Sequence, residues 1–248
     1  MESPLRSRLL APAFALLLAT AALAPAAQAR VRAELRVEGP KVTLDPGHRY
    51  RTGTERITLA TRSDCSSKHR RVRVSGPTAL GIVQSAIAAG SEVSGRLRPL
   101  RVSTFPSVPG SYFACRIGDF SSDPGYWLYR VNHVAPSVGA NQYRLHRRDQ
   151  VLWYYADFTR HINTGDELAL RAPRRATAGE PFTVRAFAYD DAGERSPAAG
   201  VKVRGGDATV VTGAGGRAQV TVSSPGKARL VAVHRPDIPS NRERVKVR

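Results

Sequence analysis

Two short runs, Tyr126–Val131 (YWLYRV) and Val151–Ala156 (VLWYYA), constrain the fold more than any other feature of this chain. Both are dense in aromatic and β-branched side chains, the residues that pack best on a half-buried pleated surface. Alternation along a strand sends Trp127 and Tyr129 to one face of the first. Trp153 and Tyr155 share a face of the second, with Tyr154 opposite. If the two strands are neighbours, cross-strand aromatic pairs follow. Two readings are open at this point. The rings form a sheet core beneath a helix, or they form a partly exposed platform that stacks on a sugar, a flat ring system or a protein loop. In the second reading Arg130, Arg144, Arg147 and Arg148 recognise anionic groups at the rim.

The flanking segments read as strands punctuated by turns. Val31–Val37 alternates, Asp45-Pro46-Gly47 has turn chemistry, and Glu55–Thr61 resumes an extended pattern. Arg71–Val74 either extends it or forms a short strand of its own. One helix follows. Gly76 caps it, Pro77 suits its first turn, Leu80, Val83 and Ile87 recur at helical spacing beside Ala79, Ile82 and Ala86, and Gly90 ends it. Leu97–Val102, a Pro-rich turn at Pro106–Pro109, and Tyr112–Ile117 lead to a turn at Asp123-Pro124-Gly125. Early strands, one helix, then more strands is the order of a β-grasp-like domain, in which a mixed sheet wraps one helix. Arg171–Gly179 is a linker by composition. Beyond it, Pro181–Tyr189, Gly200–Arg204, Ala208–Thr212, Arg217–Val222, Ala228–Val233 and Arg244–Val247 follow at short spacing, which reads as a small Ig-like β-sandwich. The expected fold is therefore mainly β, with a signal peptide over 1–29, an α+β domain over 30–170 and a sandwich over 171–248.

The signal peptide rests on three features. Arg6 and Arg8 form a basic start, Leu9–Leu23 is apolar, and Ala27-Gln28-Ala29 is a small-x-small cleavage site. No second long apolar run follows, so no transmembrane segment is expected. The chain is read as secreted or held at the cell wall. In an exported chain the two cysteines, Cys65 and Cys115, read as a disulfide. Closing a loop of that length is worth roughly 4 kcal/mol in the chain-entropy picture. Two isolated cysteines without a CxxC or a nearby His pair lack zinc-ligand spacing.

A net charge of +18 invites a nucleic-acid reading. The basic residues are 33 Arg and 5 Lys, and they are spread evenly. Arg30–Leu170 carries 21 Lys+Arg against 12 Asp+Glu, and Arg171–Arg248 carries 15 against 7. A dedicated nucleic-acid site would concentrate its charge, so no nucleic-acid partner is expected. Weak attraction to anionic cell-wall polymers is expected instead. Catalytic chemistry finds no foothold: there is no G-x-S-x-G, and the six histidines are scattered through loops. Gly213-Ala214-Gly215-Gly216 lacks the Lys and helix of a phosphate loop, and Asp190-Asp191 lacks a spaced carboxylate series for Ca²⁺. The chain is read as a non-enzyme without a resident cofactor or metal.

Gly125-Tyr126-Trp127-Leu128-Tyr129-Arg130-Val131-Asn132-His133, Ser137-Val138-Gly139-Ala140, Tyr143-Arg144-Leu145 and Asp149–Tyr155 together resemble the transcobalamin-like C-terminal domain of bacterial surface proteins, often described as a domain of unknown function. The likeness spans about Val31–Phe158 and is sharp only in its last quarter. It departs at His133, where the pattern has Gly, and at Arg148, also Gly in the pattern. The resemblance implies a β-grasp-like fold and a ligand-binding surface at Trp127, Tyr129, Asn132, Tyr143, Trp153 and Tyr155. In animal transcobalamins such a domain packs over cobalamin together with a helical barrel, which this chain lacks. The resemblance thus implies binding of an extracellular ligand or surface partner, with carriage of cobalamin or a related corrinoid, aided by a partner, as the other reading. The C-terminal part resembles bacterial Ig-like surface modules at Gly179–Val184, Ala199–Val203 and Thr212–Val222.

Overall fold

The computed structural model describes residues 30–60, 65, 69–90, 92–105 and 108–248. The expected signal peptide and the first half of the Pro106–Pro109 turn lie outside them. The described chain is mainly β. Among the described residues no helix is long and apolar enough to cross a membrane.

The N-terminal part contains β1 (Val31–Glu38), β2 (Thr43–Thr52), β3 (Glu55–Ala60), β4 (His69–Val74), α1 (Gly81–Ala88), α2 (Glu92–Leu97), β5 (Leu100–Phe105), β6 (Val108–Ile117), β7 (Phe120–Ser121), β8 (Tyr126–Val131) and β9 (Gln150–Ala156). They form two sheets, ordered β2-β1-β9-β8 and β4-β3-β5-β6-β7. In the first, β1 runs parallel to β9 and the other pairs are antiparallel. One apolar cluster joins α1 to the inner faces of both sheets, through Leu35, Ile57, Val102, Ile117, Trp127 and Trp153 among others.

Three local expectations need adjusting. Asp45-Pro46-Gly47 does not turn the chain; it sits within β2 as a bulge, where the register against β1 skips between Leu35 and Arg36. Asp45 Oδ1 accepts from the Gly47 and His48 amides, the same local bonds that a turn would use. The helix starts at Gly81 rather than at Pro77, because Thr78 bridges to Arg144 and its Oγ1 accepts the Gly81 amide 2.9 Å away. A second short helix, α2, was not expected, and it takes in Leu97, the first residue of the expected strand Leu97–Val102.

The C-terminal part contains β10 (Glu167–Arg171), β11 (Arg175–Ala176), β12 (Phe182–Tyr189), β13 (Arg195–Pro197), β14 (Lys202–Arg204), β15 (Val210–Val211), β16 (Arg217–Val220), β17 (Gly226–Val233) and β18 (Glu243–Val247). One sheet runs β10-β12-β13 with β16 also on β12, and the other runs β11-β18-β17-β14-β15. Their inward residues, including Leu168, Val184, Val203, Leu230 and Val245, form a second core. The division expected between Leu170 and Arg171 runs through β10, which pairs along its whole length with β12.

Cys65 and Cys115 form a disulfide with a Cα–Cα separation of 5.9 Å, buried beside Ala60 and Phe113.

Candidate functional site

β8 and β9 are antiparallel neighbours, with Trp127 opposite Tyr155 and Tyr129 opposite Trp153. This register places all four rings on one face. Trp127 meets Tyr155 edge-on at 5.7 Å, and Tyr129 stacks on Trp153 at 5.4 Å. That face looks into the core: Trp153, Trp127 and Tyr155 are each no more than 5 % exposed. Their polar atoms already have partners. Trp153 Nε1 donates to the Ala79 carbonyl at 2.9 Å, Trp127 Nε1 donates to the Phe120 carbonyl at 3.0 Å, and the Tyr155 hydroxyl accepts the Gly125 amide at 2.9 Å. The platform reading is therefore corrected for these three residues, because a ring buried in the core has no open face for a ligand. Gly125 belongs to the same packing: a Cβ there would lie 2.4 Å from the Ala156 carbonyl oxygen and 2.6 Å from the Tyr155 ring.

The other expected contact residues lie nearer the surface. Tyr129 and Tyr143 are half-buried and meet edge-on at 6.4 Å, with the Tyr129 hydroxyl donating to the Val138 carbonyl at 2.6 Å. Burial raises the pKa of both phenols. Asn132 is exposed but ties the hairpin together: its amide donates to Asp149 Oδ1 and its carbonyl accepts the Gln150 amide, each at 2.9 Å. Asn132 and His133 both take positive φ, 51° and 72°. This is the backbone that a tight hairpin turn demands, achieved without glycine.

The opposite face of the same sheet is covered as well. Leu152, Tyr154 and Ala156 pack on Ile238 of the C-terminal part. Arg130, expected at an exposed rim, is 2 % exposed. Its guanidinium donates to the Tyr189 and Asp190 carbonyls at 2.9 and 3.0 Å and to Asp191 Oδ1 at 2.5 Å, and it lies over the Tyr154 ring. Arg36 crosses the same seam, donating to Glu167 Oε1 at 2.6 Å and to the Pro239 carbonyl. His133 stacks flat on Tyr189 at 3.8 Å, its Nδ1 3.1 Å from Glu167 Oε1. Burial pushes Glu167 upward, yet His133, Arg36 and Arg130 together hold its carboxyl below the usual range. Glu38, buried nearby, behaves oppositely. Desolvation lifts it to about 7 against the pull of Arg36 and the hydrogen bond from Thr43.

None of these seam partners was legible as a pair in the sequence. Arg130 and Asp191 lie 61 positions apart, and Arg36 and Glu167 lie 131 apart. The only local signal was a lone Arg inside an aromatic strand. At the mouth of the seam the side chains are strongly basic. Arg96, Arg204, Arg229, Arg235, Arg242 and Arg244 line hollows between the two parts, and all are exposed.

A family model described as a domain of unknown function, DUF4430, matches residues 108–157. That span runs from the start of β6 through β9 and contains all six expected contact residues. No curated protein matches the chain.

Proposed function

We propose that the chain is an exported, non-catalytic binding or adhesion protein. Its N-terminal part is a β-grasp-like, transcobalamin-like body and its C-terminal part an Ig-like sandwich that acts as spacer and as one wall of the contact site. The observation that carries this reading is that β9 is buried on both faces, by the α1 side and by the C-terminal part. The aromatic strands are then a scaffold, and ligand contact passes to the seam that they position. The disulfide is consistent with an oxidising compartment. A corrinoid carrier working with a partner, the other function the resemblance implies, draws on ring stacking. Burial of Trp127, Trp153 and Tyr155 weighs against it.

Titrating residues 30–248 with a soluble cell-wall polysaccharide fraction and, separately, with cobalamin tests the proposal. Saturable, salt-sensitive binding to the wall fraction supports it. Salt-insensitive binding of cobalamin alone overturns it in favour of the carrier.

A further inference from the structure

Three adjoining hollows run along the seam between β2 and α2 on one side and β14, β17 and β18 on the other. Their volumes are about 830, 270 and 490 Å³. Arg242 and Arg96 each connect the largest to one of the others, and Arg229 and Arg244 line both smaller ones, so the three make one groove. The carboxylates in its walls are already engaged. Glu34 lies 3.5 Å from Arg49, Asp237 lies 2.9 Å from His234, and Glu38 accepts from Thr43 at 2.7 Å. Among the described residues, no carboxylate forms an ion pair with the six groove arginines named above.

The register makes this arrangement costly for the free protein. Arg229 stands directly opposite Arg244 on neighbouring strands, and like charges so placed repel. Arg32 with Arg51, Arg56 with Arg73 and Arg185 with Arg217 are opposed in the same way. None of those three pairs lines the groove. On an open face water and salt screen such pairs. Between two protein walls the field is focused instead, and an incoming anion gains from every cation at once.

Deepening the binding reading above, we propose that this groove holds an extended acidic polysaccharide, whose carboxylate or phosphate groups sit in the guanidinium forks of Arg229, Arg242 and Arg244. Arginine suits the task because its planar fork meets either anion with two parallel hydrogen bonds. A nucleic-acid strand is the poorer fit, since base stacking needs exposed aromatic faces. Among the described residues, Tyr50 is the one Phe, Tyr or Trp along the groove, and it is buried, with its hydroxyl donating to Asp45.

The test compares the purified chain with the double variant R229E/R244E and with R185E/R217E, which makes the same charge change on exposed arginines outside the groove. The probes are polygalacturonate and a single-stranded oligonucleotide at low and high salt, with thermal melting of each protein. The expected result is saturable binding of polygalacturonate that weakens with salt. It falls on the order of tenfold or more in R229E/R244E and stays near wild type in R185E/R217E, with all three melting alike. Equal loss in both variants, or loss in neither, overturns the groove while leaving the binding reading in place. Preference for the oligonucleotide overturns the polysaccharide assignment. Failure of wild type to bind either probe or a wall fraction overturns the binding reading as well.

Discussion

The β8–β9 pair and the β17–β18 pair are both antiparallel ladders, yet they treat their side chains in opposite ways. In β8–β9 every ring on the inner face packs against another, stacked or edge-on, and the polar atoms of the buried rings are hydrogen-bonded within the chain. On the outer face of β17–β18, Arg229 faces Arg244 with no carboxylate between them. The first region is locally consistent at every level, which is what a scaffold needs. The second breaks a rule of sheet stability at a cleft, which is where an interaction surface is expected. Aromatic density thus marks the scaffold of this molecule, and the opposed charges at the cleft belong to the contact face proposed for it.

Four changes probe that contrast. Trp153→Ala has the largest expected effect, about 3–5 kcal/mol of stability in urea denaturation, because it empties a fully buried site between α1 and the sheet. A loss under about 1 kcal/mol would mean that the aromatic face is not core. Next comes the pH profile of stability. The Glu38 carboxyl is raised to about 7 when folded, so the native state holds a proton that the unfolded chain releases near its ordinary pKa of 4.5. Its contribution is fully present below about 4.5 and is lost as pH rises through about 7, a fall on the order of 3 kcal/mol. Glu38→Gln should flatten that slope. A slope unchanged by the substitution would assign it to another group.

Gly125→Ala should cost about 1–3 kcal/mol through its clash with the Ala156 carbonyl and the Tyr155 ring, read as a lower melting temperature. The smallest effect on stability belongs to Arg229→Glu. It should leave the melting temperature unchanged or slightly raised, by at most about 0.5 kcal/mol, since it replaces a repulsive cross-strand pair with an attractive one. A large destabilisation would show that Arg229 supports the fold rather than a ligand.

Much of the scaffold was readable from local pattern. Period-two alternation located β8 and β9, and the helical stripe from Ala79 to Ile87 is buried along its length. The departure at His133, where the pattern has Gly, falls on a residue that takes positive φ, 72°. Other features were not readable, for identifiable reasons. Asp45-Pro46-Gly47 makes the same Asx bonds in a bulge as in a turn, so composition does not separate the two. Helix α2 has six residues with Gly95 inside it, too short for periodicity to register. Whether Trp127, Tyr129, Trp153 and Tyr155 share a face depends on the β8–β9 register, which an 18-residue connector does not announce. Arg130 looked like a rim charge because its partners lie in the other half of the chain. The groove had no signal at all in an Arg-rich sequence, since only the fold brings β2 and α2 opposite β17 and β18.

Tryptophan emission during titration of the chain with polygalacturonate, alongside co-sedimentation at two salt concentrations, separates binding in the groove from binding on the aromatic strands. Both tryptophans are buried away from the groove, so binding there gives salt-sensitive co-sedimentation while the emission spectrum stays nearly constant. Saturable, salt-insensitive quenching would place the ligand on the aromatic strands and contradict the groove proposal.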